Sequence, residues 1–176
     1  MNYTIESGEE LTVNQTRTSP NGLWVLKYRD NGNLVLFYKP SQAVTWSTHT
    51  EKTSVGRCVM KQDGNLVVYD ASGVLRWNSE TNDSPGAWCN VQDDGNFVIY
   101  AKRVPNKAPE NLWDATSENQ GGMVFCLSIY KYIPQGKSEL LERKEMQVRS
   151  VPAAHRRAWA AAPPPDYEYR LVKGRC

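Results

Sequence analysis

VQDDGNFVIY, residues 91–100, carries Gln92, Asp94, Asn96, Val98 and Tyr100 at every second position, with Gly95 in their midst. Side chains two apart in an extended chain share one face. A face made of an amide, a carboxylate, a second amide, an isopropyl group and a phenol is not composed like a core face. Laid out straight, Gln92 to Tyr100 would span roughly 26 Å at about 3.3 Å per residue, longer than any single small ligand. The chain therefore has to fold back, and Asp93-Asp94-Gly95 can form a three-residue hairpin loop closed by a glycine in the left-handed region. An odd-numbered loop preserves parity: Gln92 comes to lie opposite Asn96, Asp94 sits at the tip, and Val98 and Tyr100 continue down the same face.

The stretch is not alone. YRDNGNLVLFY (28–38) and KQDGNLVVYD (61–70) align with it, so that an asparagine follows the glycine at 33, 65 and 96, a period of 32 and then 31 residues. Each copy is followed by a tryptophan in a similar phrase, Trp46 in TWSTHT, Trp77 in RWNSET and Trp113 in LWDATSE. Three copies of one unit are present. Runs of Val, Leu, Ile and Tyr between Gly, Asn, Asp and Pro, without helical spacing anywhere in 1–118, read as all-β. A unit of this length holds about four strands of five residues with their turns. Three such sheets, each burying one face, share a single interior most economically. Trp46, Trp77 and Trp113 are expected to fill it. Trp24 and Trp88 have less regular places, and no function is assigned to them.

The whole chain has 176 residues and a formal charge of +2, room for one domain and an appendage. The charge is uneven: residues 1–118 carry a net −3 and residues 119–176 a net +5, so the two parts are expected to do different jobs. No segment reads as a signal peptide or as a membrane span, which places the protein in the cytoplasm, or outside the cell by a route without a classical signal. Cys58, Cys89, Cys126 and Cys176 form no metal-binding spacing and are expected to be free thiols. Cys58 and Cys89 occupy equivalent places in two repeats, which need not bring them within disulfide range.

The five groups of the third hairpin suit a neutral polyol. Each amide offers a carbonyl and an NH₂ that can engage two neighbouring hydroxyls, and a carboxylate accepts charge-assisted bonds from them. The valine gives the C–H patch of a sugar ring an apolar surface, and the tyrosine adds a hydroxyl at the far edge. A turn alone explains Asp-Gly-Asn, but it does not require Gln92 and Tyr100 at fixed offsets in a threefold repeat.

QDDGNFVIY matches the pattern Q-x-D-x-N-x-V-x-Y, and with the threefold repeat and the trailing tryptophan phrases residues 1–118 resemble the bulb-type (monocot) mannose-binding lectins. The resemblance covers about two-thirds of the chain. It implies a β-prism II fold of three four-stranded antiparallel sheets about a pseudo-threefold axis, with one potential mannose pocket per sheet. It also implies no metal or other cofactor, frequent homodimers made by exchanging a terminal strand, and preference for terminal mannose with its axial 2-hydroxyl. Carried over position by position, the third pocket, Gln92, Asp94, Asn96, Val98 and Tyr100, matches fully. The second keeps Asp63, Asn65, Val67 and Tyr69 but has Lys61 in place of glutamine; lysine donates and cannot accept, so this pocket is expected to be weaker. The first has Arg29, Asn31 and Phe37 in place of Gln, Asp and Tyr, keeps only Asn33 and Val35, and is expected to be inactive toward mannose. The partners so implied are mannose-containing glycans, with avidity from several linked pockets, and no nucleic acid.

Residues 119–176 lie outside the repeat. MVFCLSIYKYI (123–133) reads as a strand, with an added edge as one placement for it, KSELLERKEMQVR (137–149) as a short helix with Ser138 as its N-cap, and the Pro/Ala-rich basic remainder as a flexible tail. That tail is read as a solvated extension, or else as a contact for acidic membrane or protein partners, in which case the prism would be the scaffold of an adaptor. A glycosidase would need two carboxylates across a scissile bond, whereas Asp93 and Asp94 point to opposite faces and His49 and His155 stand alone. The chain is therefore expected not to be an enzyme.

Overall fold

The computed structural model describes residues 2–119, 123–133, 137–150, 152–154, 158 and 167–176. Twelve strands, among the described residues, fall within the repeat region: β1 (Thr4–Ile5), β2 (Glu10–Leu11), β3 (Thr16–Thr18), β4 (Trp24–Tyr28), β5 (Leu34–Tyr38), β6 (Ala43–Ser47), β7 (Arg57–Met60), β8 (Leu66–Tyr69), β9 (Leu75–Asn78), β10 (Trp88–Val91), β11 (Phe97–Tyr100) and β12 (Asn111–Asp114). They form three four-stranded sheets in the orders β3-β4-β5-β6, β2-β7-β8-β9 and β1-β10-β11-β12. Every pairing is antiparallel. These are the three four-stranded sheets expected from the repeat, in the all-β prism that the resemblance implies.

Each repeat supplies three consecutive strands, and the fourth comes from the first eighteen residues in reverse order: β1 completes the third sheet, β2 the second and β3 the first. The N-terminal segment thus ties all three sheets together. β1, β2 and β3 each take an edge position of their sheet.

Period-two alternation decides what goes inward. Leu26, Tyr28, Leu34 and Leu36 of the first sheet, Cys58, Met60, Leu66 and Val68 of the second, and Cys89, Val91, Phe97 and Ile99 of the third meet in one core. At its centre Trp46, Trp77 and Trp113 pack edge to face, with ring centroids 5.4–5.7 Å apart, the geometry the aromatic quadrupole favours. Cys58 and Cys89 are free and fully buried. Burial pushes the Cys58 thiol up to about 12 and the Cys89 thiol well above its ordinary range, so both act as small core hydrophobes rather than nucleophiles.

After β12 comes α1 (Ala115–Asn119), then a fourth sheet of β13 (Met123–Ile133), β14 (Lys137–Val148) and β15 (Tyr167–Lys173) in the order β14-β13-β15. The strand expected over 123–133 is present, but it is the centre of a separate sheet and not an added edge, because β14 and β15 pair on its two sides. The helix expected over 137–149 is not: Ser138 lies on β14, which pairs with β13 from Met123↔Val148 to Ile133↔Lys137. The Leu, Glu, Lys and Arg of this stretch are good helix formers, but intrinsic propensity is small per residue, and the long ladder offered by the Val/Phe/Ile/Tyr-rich β13 overrides it. Met146 and Val148, two apart, both join small apolar clusters beside the sheet, with Ala158 and with Ala153 and Ala154.

The flexible-tail expectation also fails for residues 167–176, because β15 pairs with β13 and Cys176 is bonded to Cys126, their Cα atoms 4.9 Å apart. Two of the four cysteines expected to be free are therefore joined. His155 and the Pro/Ala-rich stretch at 159–166 lie outside the described residues. Closing a loop with a sequence separation of 50 removes chain entropy from the unfolded state corresponding to about 4 kcal/mol. Reduction is accordingly expected to accelerate amide exchange in β13 and β15 while leaving the prism amides protected, as hydrogen exchange with and without reductant would show. Arg149 links the two parts: its guanidinium pairs with Glu118 at 3.3 Å and donates to the Asn78 carbonyl at 2.8 Å.

Candidate functional site

The same hairpin loop occurs three times. Backbone N–H groups of Arg29, Lys61 and Gln92 donate to the carbonyls of Asn33, Asn65 and Asn96, each at 2.9 Å. Gly32, Gly64 and Gly95 return a bond to the residue at the loop start and take φ of +83°, +93° and +86°, a conformation in which a side chain is strained. A bulge recurs after Leu36, Val68 and Ile99, re-aiming the aromatic residue that follows. Sequence repetition has produced three equivalent faces on one backbone.

In the third hairpin the expected residues come together. Gln92 Nε2 donates to Tyr100 Oη at 2.5 Å, which places the two in contact on the same side of their sheet. Asp94 Oδ1 accepts the Asn96 backbone N–H at 2.9 Å, leaving its other oxygen toward solvent. Asn96 is held from behind: its Oδ1 accepts from the Thr116 N–H at 3.2 Å, and its Nδ2 donates to Asp114 Oδ1 at 3.4 Å. The unused groups on this face are one Gln92 carbonyl, one Asp94 oxygen, the Tyr100 O–H and the second Asn96 N–H, a mixture of donors and acceptors. Val98 differs from its expected role. At 1 % exposure it is a floor between Asn90 and Asp114, its partners in register, and offers a ligand little surface.

Several contributors were not visible in the motif. Asp114 accepts from Ser117 N (2.8 Å), Ser117 Oγ (2.9 Å) and Asn111 Nδ2 (3.2 Å) besides Asn96. Burial raises its carboxyl, but these bonds outweigh burial and hold it below the ordinary range, so it is a carboxylate positioning Asn96. Trp88 packs on Tyr100 with centroids 5.2 Å apart and lies under Arg103 at 3.7 Å, whose guanidinium pairs with Glu6 at 2.7 Å. Trp24 closes on Gly95, where an added Cβ would meet its ring at 2.5 Å. Asp93 turns to the opposite side, accepting from the Asn21 N–H at 2.8 Å. The tip is thus clamped before any ligand arrives, which lowers the ordering cost of binding. A cavity of about 390 Å³ adjoins the face, lined by Tyr3, Pro20, Asn90, Gln92, Asp93 and Asp94 among others.

The second hairpin departs at the expected position and in a specific way. Lys61 Nζ pairs with Asp63 Oδ2 at 2.6 Å, so the lysine occupies the carboxylate oxygen that Asp94 leaves open. Burial raises the Asp63 carboxyl; the Lys61 ammonium, together with backbone bonds, brings it below the usual range. Asn65 is held as Asn96 is, with Ser79, Thr81 and Asn78 as its partners. Lys61→Gln removes the competing cation and restores an acceptor. We expect it to tighten hexose binding at this hairpin by about fivefold, the worth of one added hydrogen bond, measurable by titration in a third-hairpin knockout.

In the first hairpin Asn33 keeps its place, accepting from Thr48 Oγ1 at 2.9 Å, while Val25, Val35 and Phe37 form a separate apolar cluster on the outer face. Arg29 and Asn31 stand where the amide and carboxylate of the third hairpin stand, and Phe37 lacks the phenol. This face cannot present the donor and acceptor set of the third.

Neither the protein-family models nor the curated protein sequences hold a match to this chain. Solved structures do match. A lectin from garlic, Allium sativum, is 30% identical over 60% of this chain and 99% of its own, with a TM-score of 0.53. The mannose-specific agglutinin of snowdrop, Galanthus nivalis, solved with methyl-α-D-mannoside, is 32% identical over 61% of this chain and 98% of its own, also at 0.53. A Marasmius oreades lectin is 29% identical over 65% and 90%, at 0.56.

Proposed function

The chain belongs to the bulb-type mannose-binding lectins, and from that premise we propose that it binds terminal mannose on glycans through the third hairpin, using Gln92, Asp94, Asn96 and Tyr100 over the Val98 floor. The observation that carries this reading is the 2.5 Å bond between Gln92 and Tyr100, which with the Asp94 loop cap makes one cup of alternating donors and acceptors. A ligand with a misplaced hydroxyl leaves one of these groups unpaired, which is how such a site discriminates. The second hairpin is a weaker copy. A shallow pocket without metal is expected to hold a monosaccharide with a Kd of about 1 mM, near −4 kcal/mol. Useful strength then comes from several pockets on one branched glycan. The homodimer implied by the resemblance would double their number, and light scattering across a concentration series tests it.

Binding rather than catalysis fits the carboxylates. Asp93 is tied to Asn21, and Asp114 is spent on Ser117, Asn111 and Asn96, so among the described residues Asp94 has no free carboxylate partner on its face of the hairpin. Of the two compartments compatible with the sequence, the Cys126–Cys176 bond favours the oxidising one, and we place the protein outside the cytoplasm. The adaptor reading needs a free basic arm, whereas residues 167–173 are built into a sheet.

Calorimetric titration with methyl α-D-mannoside and its C2 epimer, methyl α-D-glucoside, tests the proposal. Saturable binding of the first and at least about tenfold weaker binding of the second, the worth of one lost buried hydrogen bond, is the expected result. Equal binding, or none, would refute it.

A further inference from the structure

The three hairpins share a backbone and differ in charge. Four positions on each outer face are equivalent by register: the residue two before the loop start, the loop start, the loop's middle residue, and the partner of the floor valine on the following strand. In the third hairpin these are Asn90, Gln92, Asp94 and Asp114, two carboxylates and no cation. In the second they are Val59, Lys61, Asp63 and Asn78, one of each sign and paired with each other. In the first they are Lys27, Arg29, Asn31 and Ser47, two cations and no carboxylate.

These two cations are uncommitted. Among the described residues the side chains of Lys27 and Arg29 make no hydrogen bond or ion pair, in contrast to Lys61. Alternation with Val25 puts both on the outer face, beside the apolar cluster of Val25, Val35 and Phe37. The Asn33 carbonyl is consumed by Thr48 and Thr50, which leaves its NH₂ as a donor. Asp30, the nearest acid along the chain, holds the alternate loop position, equivalent to Asp93. The face therefore offers donors and positive charge around an apolar floor, with the hairpin as tightly closed as the other two.

We propose that the first hairpin, unfit for mannose, is a second carbohydrate site that binds a hexose bearing an anionic group, a carboxylate or a sulfate. Arg29 takes the anion, since its fork matches two oxygens at once. Lys27 supports it, and the ring lies toward Phe37, where the missing phenol removes a polar group that an apolar ring face would leave unpaired. The site stands apart from the mannose reading, because it uses a different hairpin and the opposite charge.

Heteronuclear NMR of the whole protein tests it with three probes: methyl β-D-glucuronide, a 6-sulfated hexoside, and inorganic sulfate alone. The acidic sugars are expected to shift the Gly32 and Asn33 amides saturably and to spare Gly95 and Asn96. Their binding should weaken steeply as salt is raised, and Arg29→Gln should reduce it roughly tenfold, as loss of a charged hydrogen-bond pair does. Methyl α-D-mannoside binding at Gly95 should be the same in that variant, so failure of either site is read separately. Shifts centred on Gly95, unchanged affinity in Arg29→Gln, or free sulfate binding as tightly as the sulfated sugar would each overturn the proposal.

Discussion

Trp113→Ala is expected to destabilise the prism by about 3–5 kcal/mol, the cost of emptying an aromatic from a closed core. Trp113 is fully buried, and it touches Trp46, Trp77 and Phe97 edge to face. One substitution therefore removes contacts to all three sheets at once, at the single point where they converge. Against a total stability of about 5–15 kcal/mol for a domain, this is a large share, and the melting midpoint should fall by at least about 12 °C. Trp113→Phe should recover most of it, because the indole N–H is buried without a partner among the described residues and its loss is no penalty. Trp24→Phe, at the surface edge of the core, should cost far less. Thermal denaturation of the three variants gives the comparison. An unchanged midpoint in Trp113→Ala would mean that the sheets do not share one interior.

The second large effect is on binding. Asn96→Ala is expected to abolish mannose recognition at the third hairpin, weakening it by at least about thirtyfold, the sum of one ligand bond lost and a buried carboxylate left short of a donor. Asn96 does two jobs: one amide hydrogen faces the cup while the other binds Asp114, and its carbonyl holds the Thr116 N–H. Asn96→Asp separates them. It keeps an acceptor for Thr116 but sets a second carboxylate against Asp114, so the pair must either repel or take up a proton. Asn96→Asp should lose mannose binding at neutral pH while retaining the hairpin, as its Gly95 amide signal would report. If Asn96→Asp binds mannose like the natural chain, the positioning role of Asp114 is wrong.

The hairpin, its face and the tryptophan core were legible because each is written locally. A glycine at a left-handed position, polar groups two apart and a repeat of 32 and 31 residues constrain the backbone whatever surrounds it. Lys61 was readable as a defect; that its ammonium would close on Asp63 depends on side-chain reach and was not. Asp114 escaped notice because its place in the repeat is occupied by Ser47 and Asn78 elsewhere, so no pattern marks it. Its importance arises only where β12 lies beside β11. The places of Trp24 and Trp88 are likewise not encoded in the repeat, since they pack against Gly95 and Tyr100 from other elements.

Beyond residue 118 the signals weaken. The stretch 137–149 is rich in helix-forming residues, and only the pairing with the neighbouring β13 makes it a strand. Cys126 and Cys176 are joined because β15 returns the chain end alongside β13, a tertiary event that spacing does not encode. The expectation of a loose tail removed the very strand that brings the two sulfurs together.

The account turns on whether the Gln92 and Tyr100 cup is where a hexose sits. Gln92 is partly exposed and outside the core, so Gln92→Ala should fold normally. A glycan array comparing it with the natural chain is expected to show a signal concentrated on mannose-terminated glycans, and to lose most of that signal in the variant. An array profile unchanged by the substitution, or one without mannose, would contradict the central claim.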